Sequence, residues 1–443
     1  MIELLLQSPH VEQIWPSLSS RESEGCVVLF TQQWGAGDNT RVLSSDYVIP
    51  RQDDYSSRGL AKAELSPDFV ARVAQRGRRE GMGLVFMHNH PGEAAPRFSR
   101  TDDDGERLLS AFLRHRIPDS LHLAVLVTER GVHARVLGSR DPLRVIEVGI
   151  RRRVLFDPAT PGLTRVPEYD RQVRAFGADS QRSLSELSVA IVGLGGTGSL
   201  VAQELVHLGV KRFTLIDPDV VDSTSLNRLA NATGQDVGNA KTEVASRYIK
   251  AVSPTADVNQ IQDDVMRSDV ATNLFRTDFI FGCTDSHGSR SVLQQVAYQY
   301  LVPCIDMGST IVVSSGKITH IHGRVQMLAP GLPCLTCSGL IDPDEVRRDM
   351  MTSLEKQSDP YVVGVREPAP AVMSLNGTVA SLAITMFLQS TTSIVGNVRH
   401  LLYNAISQSL RVISPKAQPD CFICSPRGAL ARGASAPLMA RQD

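Results

Sequence analysis

The stretch SVAIVGLGGTGSLVAQELVHLG, residues 188–209, constrains the fold more than any other part of the chain. A short apolar run, a glycine-rich turn and a run with apolar residues at helical spacing predict a strand, a loop and a helix. RFTLID predicts a second strand, and FIFGCTD and PCIDMG predict further buried strands. Because strands that alternate with helices build a parallel sheet, we predict an α/β, Rossmann-like domain with a mostly parallel sheet.

The residues before this domain follow a different pattern. GCVVLFT and GLVFMHN predict strands, SPDFVARVAQRGRRE predicts a helix, and LHLAVLVTERGVHARVLG predicts two strands around a glycine turn. We therefore expect an α+β domain over residues 1–150 and a linker rich in Pro, Gly and Thr over 151–168. The α/β domain then covers 169–430, and residues 431–443 are expected to form a flexible tail.

The composition excludes several classes of partner. The formal net charge of the 443 residues is -1, which gives no electrostatic reason to expect a nucleic-acid ligand. The first ten residues, MIELLLQSPH, contain an acid and too short an apolar run for a secretory signal. No stretch approaches the roughly 18 apolar residues of a membrane helix. We therefore expect a cytoplasmic protein that binds neither nucleic acid nor a membrane.

The segment FMHNHPGEAAPRFSRTDDD, residues 86–104, combines residue types that bind zinc. His88 and His90 follow a predicted strand at a spacing of two residues, so their side chains share one side. Asp102 adds a carboxylate after a loop. Two imidazoles and one carboxylate leave a fourth zinc position for water, whose pKa the ion lowers toward 7.

The order H-x-H-P followed by S-x-x-D resembles the JAB/JAMM metalloproteases, the zinc-dependent deubiquitinase-like peptidases. The resemblance implies that His88, His90 and Asp102 bind a catalytic zinc ion and that Ser99 stabilises the oxyanion. It places the general base at Glu22, with Glu24 as the competitor. A degenerate, inactive site of the same family remains the alternative.

The glycine loop of the second domain suits a phosphate-binding turn, because backbone N–H groups at a helix N-terminus attract anions. Its glycines are Gly193, Gly195, Gly196 and Gly198. A dinucleotide dehydrogenase would match this loop equally well, and in both cases Asp217 would bind ribose hydroxyls. Arg228, Lys241 and Asp285 favour ATP, because Arg and Lys neutralise a triphosphate and Asp suits a magnesium ion.

Together these motifs, with YDRQVRAFG at residues 169–177, resemble the ThiF/MoeB superfamily, relatives of ubiquitin-activating enzymes. The resemblance implies that Asp217 holds the ribose, that Asn227, Arg228 and Lys241 contact the ATP phosphates, and that Asp285 binds Mg. Arg171 would reach the ATP of a neighbouring subunit, which implies a homodimer. The implied reaction is adenylation of a C-terminal glycine carboxylate.

Two C-x-x-C pairs account for four of the seven cysteines: Cys334, Cys337, Cys421 and Cys424. Such pairs favour zinc over disulfides in a cytosolic protein, and they match the structural zinc site of the same superfamily. The segment that carries a reactive cysteine in many relatives has none here. The thioester step is therefore in doubt, and Cys283 and Cys304 are expected to be buried.

Both predicted activities act on the C-terminus of one kind of protein. We hypothesise a bifunctional enzyme that trims or deconjugates a ubiquitin-like protein and activates its C-terminal glycine in a bacterial modification system. The implied partner is a β-grasp protein ending in Gly-Gly, with a separate conjugating enzyme. The alternatives are sulfur-carrier activation for thiocarboxylate-dependent biosynthesis and a non-catalytic platform that docks the carrier.

Overall fold

The computed structural model describes residues 1–60, 62–92, 94–159, 167–352, 355 and 370–442. Within these ranges, the chain forms two compact units. Unit 1 contains the residues up to 159, together with 299–301 and 426–437, and unit 2 contains the rest. No helix in the described ranges is long and apolar enough to cross a membrane.

Unit 1 is built on one eight-stranded mixed sheet of order β10-β9-β1-β3-β2-β6-β7-β8, and β4 and β5 form a separate hairpin. Its strands are β1 Glu3–Gln7, β2 Cys26–Trp34, β3 Arg41–Val48, β4 Tyr55–Arg58, β5 Ala63–Leu65, β6 Gly83–Asn89, β7 Leu123–Thr128, β8 Gly131–Val136, β9 Arg144–Val148 and β10 Arg152–Phe156. Its helices are α1 Ser8–Ile14, α2 Pro67–Glu80 and α3 Arg100–Arg116.

The elements of unit 1 follow from local sequence. Helix α2 begins after Ser66, whose hydroxyl accepts a hydrogen bond from the Phe69 N–H, and it ends at Gly81 in the left-handed conformation. Apolar residues cover both faces of the sheet, in one cluster around Leu4 and Val85 and in another around Phe30. The predicted α+β organisation is therefore confirmed.

Unit 2 contains an eight-stranded sheet of order β13-β12-β11-β14-β15-β16-β17-β18. Its strands are β11 Ser188–Val192, β12 Arg212–Ile216, β13 Asp257–Ile261, β14 Phe279–Gly282, β15 Cys304–Ser314, β16 Lys317–Leu328, β17 His400–Asn404 and β18 Ser409–Val412. Its helices are α4 Asp170–Phe176, α5 Ala178–Glu186, α6 Gly196–His207, α7 Lys241–Val252, α8 Ser268–Ala271, α9 His287–Gln299, α10 Pro343–Met350 and α11 Met373–Thr391.

The first five strands of this sheet, β13 to β15, are parallel, and the last three are antiparallel. Strands β11, β12 and β14 read as nearly continuous buried runs because both of their faces are covered, whereas the edge strand β13 is mostly exposed. The strand order reverses between β11 and β14, and such a switch point forms a crevice at the carboxyl ends of the strands. The prediction of a Rossmann-like domain is confirmed.

Two predicted boundaries differ from the structure. Residues Arg152–Phe156, assigned to the linker, form β10, which pairs antiparallel with β9 and extends the first domain beyond residue 150. Residues 431–443, predicted to be a flexible tail, make tertiary contacts: Ala431 is fully buried and its carbonyl accepts a hydrogen bond from Ser45 Oγ at 3.0 Å. Residues 160–166 of the predicted linker lie outside the described residues.

Candidate functional site

The predicted zinc ligands of unit 1 come together at the end of β6. His88 Nε2 lies 3.2 Å from Asp102 Oδ1, and His90 Nε2 lies 3.3 Å from Asp102 Oδ2. The two imidazole rings are 5.1 Å apart, so they share one side of the strand as their spacing predicts. One ligand atom from each of the three residues lies within 4.8 Å of the others.

The donor set fits a zinc ion. His88 Nε2 is buried and makes no hydrogen bond to a described residue, although the Asp102 carboxylate is close. A buried polar atom without such a partner requires an explanation, and a bound metal ion provides one. Two imidazoles and a carboxylate are ligands that zinc accepts, and three protein ligands leave a position open.

The carboxylate and the imidazoles of the cluster shift one another's pKa values toward the charged forms. Burial acts to raise the pKa of Asp102, but close contacts with His88 and His90 hold that pKa well below its usual range. The Asp102 carboxylate in turn raises the pKa of His90. The carboxylate is therefore ionised and ready to bind a cation at neutral pH.

Ser99 acts on the cluster through the backbone. Its hydroxyl accepts a hydrogen bond from the Asp102 N–H at 3.1 Å, and the Ser99 N–H donates to Asp102 Oδ2 at 2.6 Å. This capping box starts helix α3 and fixes the Asp102 carboxylate. Ser99 also lines the cavity beside the cluster. Its predicted contact with an oxyanion remains a prediction.

The acid beside the cluster is Glu24, and this corrects the assignment of Glu22. Glu24 Oε1 lies 3.9 Å from His90 Nε2, whereas Glu22 is exposed. The physical reason is strand register: Cys26 pairs with His88 in the antiparallel β2–β6 ladder, so continuing the ladder places residue 24 opposite residue 90. Burial raises the pKa of Glu24, and the imidazoles of His90 and His88 oppose the shift.

A cavity of about 640 Å³ opens beside these residues, a volume typical of ligand sites. The carboxylates and imidazoles described above form part of its lining. Apolar side chains form another part, including Leu65, Val70, Phe86, Leu109, Phe112 and Leu137. The cavity therefore combines the polar cluster with an apolar lining.

The glycine loop of unit 2 follows β11 and enters α6, as predicted. Gly193 has a φ of +88°, and a Cβ there would lie 2.7 Å from the Cys283 carbonyl oxygen. A Cβ on Gly198 would lie 1.8 Å from the Gly193 carbonyl oxygen. Side chains are excluded at both positions, whereas a Cβ on Gly195 would meet no heavy atom within 4 Å. The loop is thus a tight backbone turn that leaves the α6 N-terminus open to an anion.

Asp217 and Lys241 meet beside this loop. Asp217 is buried at the end of β12; its Oδ2 accepts a hydrogen bond from the Leu194 N–H, and its Oδ1 accepts one from the Asp219 N–H at 2.9 Å. Lys241 Nζ lies 3.9 Å from Asp217 Oδ1 and 2.7 Å from Asp219 Oδ2. Burial raises the pKa of Asp217, and the Lys241 charge opposes the shift.

The other predicted ATP contacts are more exposed. Arg228 Nη1 donates to the Thr224 carbonyl at 2.7 Å, and the Asn227 side chain is exposed. Asp285 is exposed directly after β14, and Arg171 is exposed on α4. Ser225, which was not among the predicted residues, has a buried hydroxyl beside them. No spacing rule distinguishes it from its neighbours Thr224 and Ser223.

The two C-x-x-C pairs form one cluster in unit 2. Cys334 Sγ lies 3.6 Å from Cys421 Sγ, and Cys337 Sγ lies 3.6 Å from Cys424 Sγ. Tetrahedral zinc with bonds of about 2.3 Å places sulfur atoms roughly 3.8 Å apart, so the cluster fits a structural zinc site. Hydrogen bonding with Cys334 lowers the pKa of the Cys424 thiol to about 5, which favours the thiolate that binds metal.

A family model and several relatives match this chain over more than half of its length. The ThiF family matches residues 169–423. The "SAMP-activating enzyme E1" of Haloferax volcanii is 25% identical over 271 residues, which cover 60% of this chain and 91% of the relative.

Two further relatives match a similar share of this chain. The "Molybdopterin-synthase adenylyltransferase" of Escherichia coli is 27% identical over 263 residues, 58% of this chain and 95% of the relative. An "Adenylyltransferase and sulfurtransferase" of Candida albicans is 30% identical over 268 residues, 59% of this chain and 57% of the relative.

Proposed function

The chain belongs to the ThiF family, which matches it over residues 169–423, and from this premise we propose that it is an ATP-dependent adenylyltransferase. The names of the relatives support this assignment, because two of the three contain the word adenylyltransferase and the third is an activating enzyme. The single observation that carries the proposal is the glycine loop at the α6 N-terminus, with Asp217 and Lys241 beside it.

We propose that the substrate is the C-terminal glycine of a ubiquitin-like or sulfur-carrier β-grasp protein. A carboxylate oxygen of the glycine attacks the α-phosphorus of ATP, and the bond to the pyrophosphate oxygen breaks as pyrophosphate leaves. Lys241, Arg228 and the α6 N-terminus neutralise phosphate charge, while Asp217 holds the ribose. Asp285 would hold Mg, which neutralises charge on the leaving pyrophosphate.

The acyl group then passes to a thiol outside this chain. Burial raises the pKa of both candidate thiols, Cys283 and Cys304, so neither is ionised at neutral pH. Cys304 is buried, whereas Cys283, which was also expected to be buried, is only partly buried. A neutral thiol is a poor nucleophile in either place. We therefore propose that a conjugating enzyme or a sulfur donor accepts the activated carrier. A homodimer, in which Arg171 acts on the neighbouring subunit, belongs to the same proposal.

A second activity is proposed for unit 1, because the histidine–aspartate cluster, a carboxylic acid and a large cavity meet there. His88, His90 and Asp102 would hold zinc, which makes bound water acidic and polarises a carbonyl. In this proposal Glu24 takes the proton of the attacking water and delivers it to the leaving amine. The proposed reaction is hydrolysis of a peptide or isopeptide bond after the Gly-Gly end of the carrier.

Two assays with a candidate β-grasp protein test the two proposals: pyrophosphate exchange into ATP tests adenylation, and the intact mass of the carrier tests hydrolysis. One form of the carrier ends in Gly-Gly, and a second form has extra residues beyond it. With the first form, ATP and Mg, the wild type should exchange pyrophosphate into ATP and Asp285→Ala should not. With the second form, the wild type and Asp285→Ala should remove the extension, whereas Glu24→Gln should leave it intact.

The two activities are judged separately. Exchange that proceeds without a terminal glycine on the carrier, or is absent from the wild type with every carrier form, contradicts the adenylation proposal. An extension that Glu24→Gln and wild type remove at the same rate contradicts the peptidase proposal. A carrier that binds without either reaction would favour the docking platform.

A further inference from the structure

Asn376 is a polar residue on the buried face of helix α11. It lies in the first turns of α11, is 3% exposed, and is flanked by core residues Leu375 and Val379. An amide in such surroundings is unfavourable unless its donors and acceptors find partners. Both polar atoms of this amide, Oδ1 and Nδ2, therefore need partners. The part of the chain that the structure describes provides a partner for Oδ1 but not for Nδ2.

The acceptor side of this amide is satisfied. Ser309 Oγ, on β15, donates to Asn376 Oδ1 at 3.0 Å. This bond turns the carboxamide so that Nδ2 faces away from β15. Among the described residues, Nδ2 donates no hydrogen bond. Two N–H donors are therefore oriented by Ser309 and available to another group.

The free donors face the phosphate loop. A Cβ added to Gly196 would lie 2.1 Å from Asn376 Nδ2 and 3.6 Å from Arg228 Cβ. Gly196 is the first residue of α6, a helix of 12 residues whose N-terminus attracts anions. Asn376 and Arg228 therefore flank the same point of the loop. If Oδ1 of this amide faced that point, it would repel a phosphate, whereas Nδ2 attracts one.

We propose that Asn376 is a phosphate-contacting catalytic residue of the adenylation site and that Ser309 is its positioning residue. Asn376 Nδ2 donates to a non-bridging oxygen of the ATP α-phosphate, where negative charge grows as the carboxylate oxygen bonds to phosphorus and pyrophosphate leaves. The neutral amide stabilises this charge without binding the incoming carboxylate as an ion pair. This assignment rests on the proposed adenylation activity.

The test is carrier-dependent exchange of pyrophosphate into ATP by the full-length protein. Asn376→Asp keeps the shape but faces the phosphate with an oxygen, and Asn376→Ala removes the donor. We expect kcat to fall about 100-fold in both variants, as for loss of one oxyanion donor, while KM for ATP changes less than about threefold. Ser309→Ala should lower kcat about fivefold, because the amide keeps its donors but loses its orientation.

Thr385→Ala is the matched control, because the hydroxyl of this exposed residue of α11 donates to the Ser381 carbonyl of its own helix and, among the described residues, to no other group. Its exchange rate should equal that of the wild type. Zinc content and Tm of Asn376→Ala show whether the fold persists.

A wild type without exchange refutes the adenylation proposal and, with it, this inference. If the wild type exchanges pyrophosphate and the Asn376 variants do so at rates within twofold of the wild type, this inference is refuted while the adenylation proposal stands. Losses of kcat that occur only together with lost zinc and a lowered Tm also overturn it.

Discussion

Ser99 and Asp102 cap helix α3 reciprocally, and the second of them is also a predicted metal ligand. The Ser99 hydroxyl accepts from the Asp102 N–H, while the Asp102 carboxylate accepts from the Ser99 N–H. The carboxylate that faces His88 and His90 is therefore held by the start of a helix rather than by a flexible loop. Preorganisation of this kind strengthens metal binding, because less side-chain freedom is lost when the ion arrives.

Ser99→Ala should weaken zinc binding in unit 1 about tenfold, the usual effect of losing a residue that orients a ligand. Loss of the cap should also cost about 1 kcal/mol of stability. Competition with a zinc chelator measures the affinity, and thermal unfolding measures the stability. Ser139→Ala, at an exposed turn, is the control. Unchanged affinity in Ser99→Ala would show that the capping box does not position Asp102.

Glu24→Gln should lower peptidase turnover at least about 100-fold, because an amide cannot accept the proton of the attacking water. Glu22→Gln should retain the wild-type rate, since Glu22 is exposed beyond the end of the β2–β6 ladder. The measurement is removal of a carrier extension, with zinc content determined for each variant. If Glu22→Gln were inactive and Glu24→Gln active, Glu22 rather than Glu24 would be the general base.

The purified chain should hold two zinc ions, one in each cluster. Cys421→Ser should reduce the metal content to one ion and lower the Tm, because a structural zinc site contributes directly to folding. His88→Ala should also leave one ion but change the Tm little. Metal analysis and thermal unfolding of the two variants make the comparison. Equal Tm losses would contradict the assignment of different roles to the two clusters.

Mixing of Arg171→Ala and Lys241→Ala subunits should restore adenylation. If Arg171 acts on the neighbouring subunit, each mixed dimer contains one intact site. Random mixing of equal amounts then gives about a quarter of the wild-type rate. Each variant alone should be inactive, and pyrophosphate exchange provides the measurement. If Arg171 acts within its own chain, the mixture stays inactive, and the proposed role across the dimer fails.

The stability of unit 2 should fall in acid partly through His400. Burial lowers the pKa of this imidazole to about 4, Arg324 contributes in the same direction, and Asp306 opposes the shift. The unfolded state has a pKa near 6.5 and binds more protons below that value. This stabilisation is therefore complete above about pH 6.5 and is lost as the pH falls toward 4.

His400→Gln removes the titration, so its Tm should fall less than that of the wild type between pH 7.5 and pH 5. Thermal unfolding across that range measures the difference. His115→Gln, at an exposed position on α3, should follow the wild type. Parallel Tm curves for the wild type and His400→Gln would show that protonation of His400 does not contribute.

Several features were predictable because they depend on residues close together in sequence. The strand, turn and helix around Gly193 follow from local apolar spacing and from a backbone turn that excludes side chains. His88 and His90 share a side because a strand has a period of two. The C-x-x-C pairs predicted their own cluster, although the fold had to bring Cys334 and Cys421 together across a separation of 87 positions.

Other features depend on long-range pairing, which local patterns do not encode. The sequence alone determined the classes of the two domains, the order of the predicted zinc ligands and the tight glycine turn, because all of these are local periodicities and spacings. Only the tertiary structure decided that Glu24 and not Glu22 faces His90, because that choice depends on the register between β2 and β6. The tertiary structure likewise decided that Asn376 contacts Gly196, which lies 180 positions earlier in the chain. The sequence of a helix carries no local signal for the loop against which the helix packs.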